Sequence, residues 1–161
     1  MVAYRLHCDP LYNEAIQRVH SGEIGDSRLF TASFTMQVRP GNVRTKAEVG
    51  GGSLHDLGIY RINAARAVFG SEPLEIRALA VARHDARSRH VDETTSAIMR
   101  FPEDRLATFS RSLGAVSTSW FEIVGSTGKL CLDAAFNETG EMELTIKRGG
   151  RTNRKQRHIT D

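Results

Sequence analysis

The chain has 161 residues, 40% hydrophobic and 25% charged, with a formal net charge of +3. That is one domain's length, enough to bury a core, and the composition is globular rather than disordered or fibrous. No apolar run approaches the roughly 20 residues of a membrane-crossing helix, and the start lacks a signal-peptide pattern. Cys8 and Cys131 form neither a C-x-x-C nor a disulfide framework. The expectation is a cytoplasmic protein with no membrane partner.

The charge is unevenly spread. Lys147, Arg148, Arg151, Arg154, Lys155 and Arg157 put six positive charges and no negative one between 147 and 158, leaving sixteen basic against nineteen acidic residues elsewhere. Such a run can touch phosphate backbones. It has no aromatic side chain to stack on bases, so a solvated loop or frayed end is expected, and no nucleic-acid partner.

In chain order, "MVAYRL" reads as a short apolar strand. Asp9-Pro10 then supplies an N-cap and an N1 proline. The helix that follows runs to about Ser21, with Leu11, Ala15, Ile16 and Val19 on one face and Gly22 near its stop. "SRLFTASFTMQV" alternates as a strand, with Phe30, Ala32, Phe34 and Met36 on its apolar side and Leu29, Thr31, Ser33, Thr35 and Gln37 on the other. A polar loop, "RPGNVRTKAEVGGG", leads into a helix over 53–69. Then come six strand-like runs: "PLEIRALAVA", "TTSAIMRF", "LATFSRSL", "WFEIVGS", "GKLCLD" and "EMELTIK". Strands segregated from two helices, with short connectors, predict an α+β fold. Its sheet should be open, largely antiparallel (mixed) and of six or more strands, with both helices on one face.

Two clusters invite a chemical reading and fall short of it. "RHDARSRHVDE" gathers His84, Asp85, His90, Asp92 and Glu93, but the spacing fits no closed zinc pattern, so an exposed loop is expected and no metal site. His7, Cys8 and Asp9 are adjacent ligand types whose side chains diverge along an extended chain. "GSTGKL" lacks the spacer and the G-K-[ST] ending of a phosphate-binding loop and reads as a tight turn.

"EVGGGSLHDLGIYRINAARAVFG", Glu48 to Gly70, is the most informative stretch. At about 100° per residue, Leu54, Leu57, Gly58, Ile62, Ala65, Val68 and Phe69 form the sheet-facing stripe, and Asp56, Tyr60, Asn63 and Ala67 lie opposite. Asp56 and Tyr60 are i and i+4, hence neighbours, and Asp56 sits in the first turn, where the helix dipole favours its ionised form. The glycines expose backbone N–H groups and admit close approach. The pattern alone supports two readings: a reactive surface aimed at a cleft, or a solvated helix face behind a flexible turn. Tyrosine can act as a general acid or base where a cation lowers its pKa, and no lysine is placed to do so.

"GGGSLHDLGIYRINAARAVFGSEPLEIRA" resembles the G-G-G-x-x-x-D-x-G-x-[HY] signature of the Gfo/Idh/MocA oxidoreductases, with "GIYRINAARAVFG" closest to the glucose–fructose oxidoreductase side, where tyrosine replaces histidine. "VAYRLHCDPLYNEAIQRVHSGEIG" is similar to that family's crossover out of its nucleotide-binding domain, so the resemblance covers nearly the whole chain. It implies an NAD(P)-dependent oxidoreductase acting on a sugar, polyol or related hydroxyl or carbonyl compound by hydride transfer. Asp56 and Tyr60 would be catalytic, Tyr60 exchanging the substrate hydroxyl proton and Asp56 orienting substrate. Asn63, Arg5 and His7 would bind substrate. The family's N-terminal Rossmann domain, its G-x-G-x-x-G and its E-K-P lysine have no counterpart in the 161 residues. Residues 1–161 therefore read as the C-terminal substrate and oligomerisation domain, with NAD or NADP expected for the full-length enzyme and none bound to this chain. The resemblance further implies a homo-oligomer joined through the open sheet face. The alternative is a non-catalytic binding or assembly module that keeps the scaffold.

Overall fold

The computed structural model describes residues 5–52, 54, 58–82 and 91–159, with Arg5 described in its backbone alone. Asp9 starts helix α1 (Pro10–His20) as expected. Its Oδ1 accepts from the backbone N–H of Leu11 at 2.8 Å and of Tyr12 at 3.0 Å, and Pro10 occupies the first turn, where no N–H is needed. The helix buries Leu11, Tyr12, Ala15 and Val19. Residues Arg5–Cys8 form a 3₁₀ turn, not the end of the strand read from "MVAYRL"; residues 1–4 lie outside the described residues.

All seven strands expected after α1 are present: β1 (Ser27–Gln37), β2 (Glu75–Val81), β3 (Thr94–Phe101), β4 (Arg105–Ser112), β5 (Gly114–Gly125), β6 (Gly128–Asp133) and β7 (Gly140–Arg148). An eighth, β8 (Arg151–Ile159), is the basic segment. It is no loose end: it pairs antiparallel with β7 across Gly149-Gly150. Alternation explains why the sequence hid it, because one edge strand with a single apolar terminus, Ile159, has no hydrophobic period to read. Lys155 and Arg157 reach back to Glu14 and Asp9 on α1, so part of the charge run is paired.

The single sheet runs β2-β3-β4-β1-β5-β6-β7-β8. β1 is parallel to β4 and antiparallel to β5, and every other neighbour is antiparallel. One face carries Phe30, Ala32, Met99, Phe101, Ala107, Phe109, Phe121, Ile123, Leu130, Leu132, Leu144 and Ile146, all buried beneath the helices. Phe121 anchors this core, stacked on Phe30 at 5.5 Å and edge-on to Tyr12 at 6.1 Å. "GSTGKL" is the two-residue turn between β5 and β6, as read.

The opposite face is built differently. Register places Thr31, Ser33, Ser96, Thr108, Ser110 and Thr118 on it, and their hydroxyls bond across strands. Ser96 meets Ser110 at 2.8 Å, Ser33 meets Thr118 at 3.0 Å and Thr108 donates to Thr31 at 3.3 Å. Among these hydroxyls stand exposed apolar side chains, including Leu79 at 81% and Val116 at 80% exposure. Of the described helices, neither covers this face.

Candidate active site

The loop after β1 is held by local capping. Asn42 Oδ1 accepts from Arg44 N–H at 3.0 Å and starts the short turn Val43–Thr45, and a second turn, Ala47–Val49, ends at Gly50. Gly52 has φ +128°, a conformation closed to side-chain-bearing residues. The triplet is therefore a shaped approach to the helix rather than slack chain.

The α-helix α2 spans Ile59–Phe69, with Gly58 before it already in helical conformation; residues 53 and 55–57 of the helix read over 53–69 lie outside the described residues. Gly58 supplies no side-chain cap. Its buried face is Arg61, Ala64, Ala65, Val68 and Phe69. Ala65, Val68 and Phe69 were expected there. Leu54 was too, and it is exposed; Ile62 is half-buried; Leu57 lies outside the described residues. The face is turned because Arg61 takes the central position. Its guanidinium stacks between the rings of Phe34 at 4.4 Å and Phe136 at 4.7 Å with 0% exposure.

That rotation fixes the neighbours. With Arg61 facing the sheet, Tyr60 and Asn63 fall on the flank and are half-buried. His7 lies beside this flank, and its Nε2 donates to Asn63 Oδ1 at 2.5 Å. The ring of Tyr12 stands edge-on to His7 at 5.8 Å and fixes the imidazole from behind. Two of the expected substrate residues, His7 and Asn63, are thus in contact although 56 positions apart. They open onto a cleft of about 420 Å³ that Arg66, Ala67, Gly70, Ser71 and Glu72 complete. Arg66 donates from Nε to Glu72 at 2.8 Å, and this bond holds the Glu72 carboxyl below its ordinary range. At the far end, His20 Nε2 bonds the carbonyls of Ala67 and Val68 at 3.1 Å each and ties α1 to α2.

Arg5 sits in the turn that carries His7, and its side chain is not described. Asp56 lies outside the described residues, as do His84, Asp85 and His90. Among the described residues no group of three His, Cys, Asp or Glu side chains is spaced to hold a metal ion. Asp92 and Glu93, read as an exposed loop, are structural: Asp92 pairs with Arg111 at 3.0 Å and Glu93 is buried. Of the two tyrosines near the site, Tyr12 is fully buried and its phenol is pushed up by desolvation, which removes it from proton exchange; Tyr60 is the accessible one. Arg61, Arg66, Glu72 and Arg111 escaped the sequence reading. Arg61 alone left a signal, since it falls at helical spacing with Ala64, Ala65 and Val68, inside an apolar stripe.

This is an α+β domain whose open sheet carries, at one flank, a glycine loop and a helix presenting Tyr60 and Asn63. The sequence profile of the GFO/IDH/MocA C-terminal domain matches residues 12–131, and the chain belongs to that family. It is 37% identical over 145 residues to an uncharacterized oxidoreductase of Rhizobium meliloti, covering 89% of this chain and 42% of the relative. The aldose-aldose oxidoreductase from Caulobacter crescentus, solved with glycerol, superposes with a TM-score of 0.88 at 27% identity, over 96% of this chain and 47% of that one. A 3-ketoreductase from Actinomadura kijaniata, solved with NADP and TDP-benzene, gives 0.79 at 29% identity, over 97% and 47%. The chain thus spans less than half the length of these proteins, and no helix among its described residues is long and apolar enough to cross a membrane.

Proposed function

We propose that residues 1–161 are the substrate-binding and oligomerisation domain of an NAD(P)-dependent oxidoreductase acting on a sugar, polyol or related hydroxyl or carbonyl compound. The observation that carries this reading is the flank of α2, where His7 and Asn63 are in contact and line an open cleft, with Tyr60 half-buried one helical turn before Asn63. A sugar hydroxyl needs bonds of just this kind: neutral donors and acceptors at the mouth of a concavity. The relatives named for aldose and ketone chemistry support the substrate class.

In the reaction proposed, a hydride moves between the nicotinamide ring and a sugar carbon. The chain has no dinucleotide fingerprint, so its residues do not fit the nucleotide, and its binding is assigned to a separate domain. This chain's share is the proton. When the carbonyl is reduced, Tyr60 Oη–H gives its proton to the substrate oxygen as the hydride arrives at carbon; in the reverse direction the phenolate takes it back. Asp56 orients substrate, and Asn63, His7 and Arg5 hold its other hydroxyls. Steady-state turnover of aldoses, polyols and keto sugars by a form of this chain joined to a nicotinamide-binding domain tests the reading. Saturable turnover with at least one class is the expected result; none with any class, by a folded and NADPH-binding protein, would overturn it.

The oligomer is proposed through the face that the described helices leave bare. Leu29, Leu79, Ile98 and Val116 are exposed on it, and the hydroxyls between them satisfy one another, so the face can be covered without stranding a polar group. Sedimentation equilibrium at micromolar concentrations is expected to give a dimer or a multiple of it. Ile98→Lys is expected to weaken association by about tenfold or more, since it buries a charge without a partner. A monomer before substitution, or an assembly indifferent to it, would remove this face from the interface.

A further inference from the structure

We propose that the turn end of the β7–β8 hairpin binds a phosphate group, free or carried on a small molecule, through Arg148, Arg151 and Arg154. These three line a concavity of about 430 Å³ that shares no residue with the cleft on α2. Strand alternation lays out the basic run. Ile159, Arg157, Lys155, Asn153 and Arg151 share one face of β8, the face on which Ile159 is buried. Acids from the α1 side meet that face in order. Arg157 donates to Asp9, at the start of the helix, and Lys155 to Glu14, in its middle. The next acid, Glu23, lines the concavity and is already engaged: Arg18 Nη1 donates to both of its oxygens, at 3.0 and 2.9 Å. The acids run out before the strand does. Among the described residues, Arg148 and Arg151 have no carboxylate partner, and both are exposed.

The turn forces these two charges together. Gly149 and Gly150, at φ +53° and +75°, form a two-residue connection, so Arg148 and Arg151 stand directly opposite in the ladder. Side chains so placed have Cβ atoms about 5 Å apart, and like charges there repel. Both leave the sheet on the side where Ile146 is buried, because Ile146 and Asn153 form the next pair but one. Arg154 adds a third cation to the lining. An anion in the concavity relieves the repulsion, and each guanidinium can fork two N–H bonds to phosphate oxygens. Charges on an edge strand also deter pairing with other chains. That role needs cations along the strand, but neither a concavity nor two cations opposed at a turn. The space suits a small phosphorylated molecule. It offers no aromatic ring on which nucleic-acid bases would stack.

Titration of the 161-residue chain with inorganic phosphate, at constant ionic strength against chloride and followed by NMR amide shifts, tests this. Saturable shifts over 148–154 and at Glu23 are expected, in the low-millimolar range or tighter. Arg148→Gln with Arg151→Gln is expected to weaken binding by about tenfold or more, because charge-assisted bonds from two side chains are lost. Arg77→Gln removes the same charge from β2, at the opposite edge of the sheet, and should change binding by less than about twofold. Without phosphate, the double variant is expected to unfold at an unchanged or higher temperature, since a repulsion is gone. A lower unfolding temperature would make the arginines a support of the hairpin and overturn the inference. Shifts that never saturate, or an equal loss in Arg77→Gln, would reveal only a diffuse charged surface and also overturn it. Glycerol phosphate bound more tightly than inorganic phosphate would mark an esterified phosphate as the ligand, and equal binding the free ion. A single-stranded oligonucleotide bound about tenfold more tightly than either would assign the arginines to a polymer instead. No turnover is read, so the outcome is independent of the activity proposed above.

Discussion

Replacing Arg61 by alanine is expected to destabilise the domain by about 3–5 kcal/mol, the range of a large buried side chain removed from a packed core. The guanidinium is fully buried between Phe34 and Phe136, so the substitution both opens a cavity and removes a desolvated cation–π stack, itself worth about 2 kcal/mol. Against a total of about 5–15 kcal/mol for a domain, that is a large fraction. Arg61→Lys is not a rescue, because an ammonium cannot lie flat between two rings. Arg61→Met keeps most of the volume and separates packing from charge; it is expected to recover most of the loss if packing dominates. Urea unfolding, with the midpoint and slope compared among the three variants, checks this. A shift below about 1 kcal/mol for the alanine variant would mean that α2 is not held by this clamp.

Tyr60→Phe has the largest expected effect on activity. Measured in a form joined to a nicotinamide-binding domain, kcat should fall by about 10²–10⁴-fold, the usual worth of a positioned general acid or base. KM should change little, because the phenyl ring keeps its place on the α2 flank and the missing hydroxyl acts on the proton in flight. The structural cost should be small, since Tyr60 is half-buried and outside the central core. A variant with unchanged kcat would take Tyr60 out of the reaction. One whose KM alone rises would make it a binding group.

The fold was legible because its strands obey strict alternation. Phe30, Ala32 and Phe34 announce one buried face of β1, and Thr31, Ser33 and Thr35 the other side, and the structure keeps both sets where the period put them. Asp9-Pro10 marked the start of α1 through chemistry that acts within one turn. For α2 the described α-helix begins at Ile59, with Gly58 already in helical conformation, and residues 53 and 55–57 of the helix read over 53–69 lie outside the described residues. β8 was missed because an exposed edge strand is defined by its hydrogen bonds to β7, not by its own side chains. In the site, His7 and Asn63 were named from a resemblance, and their contact joins a turn and a helix that no local pattern connects. Asp92 was weighed as a ligand in a loop because its partner, Arg111, lies on another strand. An ion pair between a loop and a distant strand is a tertiary fact. Sequence shows the two charges and hides the pairing.

Isotope transfer tests directly whether this domain presents a sugar to a nicotinamide hydride. A folded form of this chain joined to a nicotinamide-binding domain, and shown to bind NADPH, would be incubated with cofactor deuterated at C4 and with aldoses, keto sugars and nucleotide-linked keto sugars in turn. Deuterium is expected on the reduced carbon of a sugar product, with near-complete loss of label in Tyr60→Phe. No label in any sugar, with NADPH bound, would rule out hydride transfer to a sugar at this site.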